Sequence, residues 1–230
     1  MKASIRIPKG PVIAVGVVVV ALIILAAVIS GGSPSSPGTA LAVSPTLDPG
    51  TQLPNTTAPN FTLTDQFDKQ FSLSFFRGKV VLLAFNDAEC TTICPLTTTA
   101  MVDAQQMLGK AGSKVALLGV DANPDAVSVK DVRSYSELHG MTHAWEFGTG
   151  SRTQLERVWK AYHIAVEIEA GQIDHTPALF VITPQGKLAR LYLTQMSYAS
   201  ITQEAQILAT EASRLLPGHP AVHSKLSYKS

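Results

Sequence analysis

The chain has 230 residues, enough for one globular domain with additions, and 46% of them are apolar, ample for a core. Its formal net charge of +1 gives no electrostatic case for a nucleic-acid partner.

Residues 11–29, "PVIAVGVVVVALIILAAVI", carry no charge. A run of roughly 19 such residues can cross a hydrocarbon core of about 30 Å. Lys2, Arg6 and Lys9 precede it, and no charge follows until Asp48. The positive-inside bias then predicts one N-terminal transmembrane helix within an anchor at 1–30. The expected product is a single-pass protein of the cell membrane, N-terminus cytoplasmic and domain extracytoplasmic. The rival is a cleaved signal peptide, whose apolar core would be about 7–15 residues long and followed closely by its cleavage site. Here the best A-x-A candidate, Ala40-Leu41-Ala42, lies well beyond the run. A buried soluble helix would show a polar stripe. Without the three basic residues the remainder is mildly acidic, and an oxidising exterior would allow a disulfide. Residues 31–57, rich in Gly, Ser, Pro and Thr, read as a flexible linker.

The domain is expected over 58–217. "FTLTDQFDKQFSL" reads as a hairpin, and "VVLLAFN" as a strand buried on both faces. Met101, Ala104 and Leu108 keep helical spacing, ending near Gly109 and Gly112. "KVALLGVDA" is a second buried strand, residues 125–140 a helix, and "HAWEF" a short third strand. Ser151 and Gln154 fit a capping box, after which Leu155, Val158, Trp159 and Tyr162 share one face. "ALFVITPQGKLARLYL" reads as an antiparallel hairpin. Ile201, Ala205, Leu208, Ala212 and Leu215 mark a last helix stopped by Pro217-Gly218, with a loose tail over 218–230. Strands alternating with helices and then a closing hairpin and helix predict an α/β sandwich with a mixed sheet. That order resembles a thioredoxin-like fold.

The only two cysteines, Cys90 and Cys94, lie in "NDAECTTICPLTTT", where a central strand hands over to a helix. A helix N-terminus offers unpaired N–H groups and a positive dipole end, which favour a thiolate. Positions i and i+4 share a helical face, so a helical first turn would aim both sulfurs at one spot. They could bond to each other, grip one ion, or be two buried structural thiols. The last is the weakest reading for a pair at such a junction. A peroxidase-type thiol enzyme is disfavoured, because Asp87 stands where an activating threonine is expected. Two thiolates suit Cu(I) or Zn but are too few for a closed tetrahedral site.

The chain has six histidines to supply a third ligand. His139 and His143 flank the second helix and third strand, His163 ends a helix, and His219 and His223 fall in the tail. His175 lies in "IDHTPALFVI", directly before a buried strand and beside Thr176-Pro177. In thioredoxin-like folds a Thr-cisPro element at this place sits against the cysteine pair, which singles out His175. Asp174 is expected either to orient its ring or to be a solvated turn residue. Asp121 and Asp125 are read as structural, and the methionines as helix-face core.

These features together resemble the Sco/SenC family of thioredoxin-like copper-binding proteins of cytochrome c oxidase assembly. The likeness runs from about Ala58 to Leu216. It is carried by "APNFTLTDQFDKQFSLSFFRGKVVLLAF", the C-x-x-x-C-P of Cys90, Cys94 and Pro95, "GVDANPD", "FGTGSRTQLERVWKAYHI", and Asp174-His175 before "ALFVITPQGKL". The resemblance implies copper bound by Cys90, Cys94 and His175. It also implies a partner in an oxidase subunit that carries a copper site. Thiolates favour Cu(I), and imidazole also suits Cu(II). On this reading the protein is a metallochaperone rather than an enzyme. The alternative is a thiol–disulfide oxidoreductase in which Cys90 attacks and Cys94 resolves, supplied by a thiol reductant and acting on the cysteines of an oxidase subunit.

Overall fold

The computed structural model describes residues 50–169, 172–193 and 201–223. The membrane anchor expected at 1–30 and the linker up to residue 49 lie outside the described residues. Among those described, no helix is long and apolar enough to cross a membrane. In chain order the elements are β1 Thr51–Gln52, β2 Thr62–Thr64, β3 Gln70–Ser72, β4 Val80–Asn86, α1 Cys94–Met107, β5 Val115–Asp121, α2 Val129–Leu138, β6 Glu146–Gly148, α3 Arg152–Tyr162, β7 Val166–Glu169, β8 Gln172–His175, β9 Ala178–Ile182, β10 Leu188–Leu193 and α4 Ile201–Leu215.

The main sheet has the order β1-β10-β9-β4-β5-β6. β4, β5 and β6 run parallel, while β9 joins β4 and β10 joins β9 antiparallel. It is the mixed sheet that the sequence pattern leads one to expect. β4 and β5 are buried along their whole length because both faces of the sheet are covered, and this explains their unbroken apolar runs. Successive side chains leave β4 on opposite faces. Val80, Leu82 and Ala84 pack with Met101 and Ala104 of α1, Val132 of α2 and Leu208 of α4. Val81, Leu83 and Phe85 pack with Leu155 and Trp159 of α3 and with the β2–β3 hairpin.

Three boundaries and one hairpin differ from the sequence reading. The helix expected over 125–140 begins at Val129. Asn123 Oδ1 accepts from the backbone N–H groups of Asp125 and Ala126 at 2.8 and 3.1 Å, which holds a turn ahead of a Ser128–Asp131 capping box. The linker expected to reach residue 57 gives way earlier, since β1 pairs with β10 at Thr51↔Leu191. The tail expected to be loose from 218 is hydrogen-bonded as far as it is described. Pro220 O accepts from Ser213 Oγ at 2.6 Å, and His223 N donates to Met107 O at 2.8 Å. The β7–β8 hairpin was not anticipated, and it is the element that carries His175.

Candidate metal centre

The site is built on the carboxyl ends of the two central parallel strands, where loops open above a sheet. Asn86 ends β4 and Asp121 ends β5, and the two are register partners. Polar residues closing two apolar strands are the signal that the sequence reading passed over. Asn86 Nδ2 donates to the Tyr135 hydroxyl at 3.4 Å. Asp121 Oδ1 accepts from Ala88 N at 3.3 Å and Asn123 N at 3.0 Å. Asp87 Oδ1 accepts from Glu89 N and from Asn123 Nδ2, both at 2.7 Å. Two carboxylates therefore fix the loop that delivers Cys90. Burial pushes the Asp121 carboxyl well above the usual carboxylate range. Asp121→Ala should destabilise the fold by about 2–4 kcal/mol in chemical denaturation, since two buried N–H groups lose their acceptor. Asp121→Asn keeps that acceptor and should cost less than about half as much.

Cys90 and Cys94 are both free thiols. They do not share a helical face as the i,i+4 spacing suggests. α1 begins at Cys94, with Pro95 in its first turn, and Cys90 lies ahead of it in the loop. The loop folds back so that Cys94 N donates to Cys90 Sγ at 3.4 Å, and the sulfur takes the capping place that Ile93 leaves empty. Cys90 is partly exposed and Cys94 only 3%. The Cys94 thiol hydrogen-bonded to Cys90, helped by the Cys94 N–H and Thr92, outweighs burial and lowers the Cys90 thiol to about 5. The same contact, burial and the Cys90 charge push Cys94 up. Cys90 is thus the thiolate of the pair and Cys94 the proton holder.

His175 Nε2 lies 3.9 Å from Cys94 Sγ. Its Nδ1 lies 3.2 Å from the Thr176 carbonyl oxygen. A carbonyl only accepts, so Nδ1 carries the hydrogen and Nε2 turns its lone pair toward the sulfur. The Thr176 carbonyl therefore does the orienting that Asp174 could have done. Asp174 is exposed and sits opposite Glu167 across the hairpin. Among the described residues there is no cis peptide, so Thr176–Pro177 is trans. Three of the other histidines are engaged elsewhere. His143 stacks on Phe67 with centroids 5.5 Å apart, His163 caps α3 at φ 58°, and the His223 backbone joins α1. His139 lies against Tyr135, also near the thiols, and neither residue was picked out from sequence as a site residue.

The donor set fits a soft ion: two sulfurs and one oriented imidazole. A sulfur and a nitrogen on one ion can be no more than about 4.3 Å apart at zinc-like bond lengths of about 2.3 and 2.0 Å. The 3.9 Å separation of Cys94 and His175 falls inside that span. Among the described residues no three His, Cys, Asp or Glu side chains form a ready-made cage, so the ligands must draw together around an ion.

The SCO1/SenC family model matches residues 49–210, well over half of the chain. The SCO1 protein homolog of Bacillus subtilis (strain 168) is 28% identical over 137 residues, spanning 57% of this chain and 71% of that protein. The structure of Bradyrhizobium japonicum ScoI with copper bound superposes with a TM-score of 0.59 at 18% identity, covering 70% of this chain and all of the other. At that identity the likeness is one of fold alone. BsSco, a Sco-family cytochrome c oxidase assembly protein in which a disulfide switch was identified, superposes with a TM-score of 0.53 at 25% identity, covering 70% of this chain and 98% of the other. The fold is thioredoxin-like.

Proposed function

This chain belongs to the SCO1/SenC family, and from that premise we propose that it holds copper through Cys90, Cys94 and His175 and passes it to the copper site of a cytochrome c oxidase subunit. The observation that carries the reading is the Nε2 lone pair of His175, anchored through Nδ1 and facing the buried sulfur at 3.9 Å. Copper is the cargo. Cys90 meets it as a thiolate, partly exposed at the mouth of the loop. Cys94 must give up its proton to ligate, so loading releases acid and weakens as pH falls. Three ligands leave a position open for an incoming donor, which a transfer protein requires. The copper-bound state of ScoI and the assembly role given for BsSco support this choice of cargo and partner. Residues 11–29 would anchor the protein in the cell membrane, with the N-terminus cytoplasmic and the domain on the side where an oxidase copper site is loaded.

A second reading rests on the unequal thiols. The Cys90 thiolate attacks one sulfur of a partner disulfide and expels the other as a thiolate. Cys94, once deprotonated, displaces the partner's bound sulfur, leaving a Cys90–Cys94 disulfide and a reduced partner. A thiol reductant then restores the pair. One experiment separates the readings. Copper-loaded full-length chain is mixed with a metal-free oxidase copper domain whose cysteines are already reduced. Appearance of copper in the oxidase domain is the expected result. Copper that stays on the chain, together with reduction of the domain when it is supplied as a disulfide, would favour the oxidoreductase.

A further inference from the structure

We propose that His139 is a second imidazole donor for the same soft ion, taking over when His175 withdraws. This rests on the copper reading above and concerns a residue outside the C-x-x-x-C and His175 set. His139 closes α2, and its Nε2 is buried with no hydrogen-bond partner among the described residues. A buried ring nitrogen without a partner is an unmet binding capacity. The other histidine of the site, His175, has both nitrogens engaged.

The ring of His139 leans on Tyr135, with centroids 4.4 Å apart. Tyr135 is itself fixed at the site, since its hydroxyl accepts from Asn86 at the end of β4, the strand that leads into the cysteine loop. Tyr135 and Cys94 belong to one buried cluster against which Cys90 packs, so the ring on which His139 leans is part of the core that holds both cysteines. The two histidines come to the pair from different sides: His175 faces Cys94 directly, and His139 lies on the Tyr135 side. An ion held on both sulfurs can exchange one imidazole for the other without leaving the thiolates. His139 is the last residue before Gly140, whose φ of 66° turns the chain out of the helix. Its ring can therefore swing without unwinding a turn of α2. Such an exchange frees the His175 side of the ion for a donor from the receiving protein.

The test uses the full-length reduced chain with Cu(I) alone as the probe, a competing chelator to measure affinity, and X-ray absorption to count imidazole rings on copper. His139→Phe keeps a ring on Tyr135 and removes the donor; alone it should change affinity less than about twofold, because His175 remains. His175→Ala should lose about tenfold in affinity yet retain an imidazole scattering signature. Combining the two should lose about tenfold more and erase that signature. Should the Phe variant fail to fold, His139→Gln replaces it with the same expectations. A His175→Ala chain without imidazole on its copper, or a double variant that binds as well as His175→Ala alone, overturns the proposal and leaves the copper reading standing. A wild-type chain that takes up no copper overturns both.

Discussion

Cys94→Ser should strip the full-length chain of its copper. Both the Cys90 loop and His175 approach Cys94, the proposed ligand, which is 3% exposed at the start of α1. A serine hydroxyl is a hard, weakly acidic donor that a soft ion does not seek. The expected loss of Cu(I) affinity exceeds about 100-fold, beyond the range for removing an outer partner of a ligand. Cys90→Ser should do the same, since it removes the partly exposed thiolate of the proposed pair. Competition against a chelator of known strength measures both. Neither serine variant can form a Cys90–Cys94 disulfide on oxidation, whereas His175→Ala should leave the pair able to form one. Retention of copper by Cys94→Ser within about tenfold of wild type would mean that the ion is held elsewhere.

The second large effect is in thiol reactivity. In the reduced, metal-free chain Cys90 should alkylate with a rate that rises through a midpoint near pH 5, the value its surroundings give it. Cys94, buried and pushed up, should react at least about 100-fold more slowly at neutral pH. Mass spectrometry of the labelled peptide distinguishes them by position. Stability follows by linkage. An unfolded cysteine keeps its proton up to about pH 8.5. Between about pH 5 and 8.5 the unfolded chain therefore binds a proton that the folded chain has released from Cys90, and stability rises with pH across this window. That contribution is lost as pH falls through the folded value. Cys94 has the opposite sign: its contribution is present below about pH 8.5 and is lost as pH rises. Cys90→Ser should flatten the rise between pH 5 and 8.5. Two thiols that alkylate together with a midpoint near 8.5 would contradict the asymmetry.

Much of the fold is written in strong local signals. The unbroken apolar runs of β4 and β5, the Ser151–Gln154 capping box and the Pro-Gln-Gly turn between β9 and β10 all appear as the pattern predicts. The β7–β8 hairpin was illegible because its β7 residues Glu167, Ile168 and Glu169 are exposed whichever way they point, so no alternation of apolar and polar residues marks a buried face. α2 starts late because Asn123 and Ser128 compete with the helix for backbone donors, an effect that periodicity does not register.

At the site, Cys90, Cys94 and His175 could be selected from sequence because their places follow from a strand-to-helix junction and a strand entry. Their geometry could not be. Spacing alone suggested a shared helical face, but Pro95 in the first turn starts α1 at Cys94 and leaves Cys90 in the loop as its cap. The partner of the His175 ring likewise depends on which way β8 turns into β9, and it is the Thr176 carbonyl rather than Asp174. Tyr135 and His139 are brought to the thiols by the packing of α2 on the sheet, a tertiary contact with no local signature.

If Cys90 and Cys94 hold the copper as thiolates, as proposed, a disulfide between them must exclude the ion. The measurement is copper per chain after the full-length chain, in its dithiol and its disulfide forms, has been loaded with Cu(I) and freed of unbound metal. One copper is expected in the dithiol form and none in the disulfide form, because oxidation removes both thiolates at once. Equal copper in the two forms, or none in the dithiol form, would contradict the proposed site.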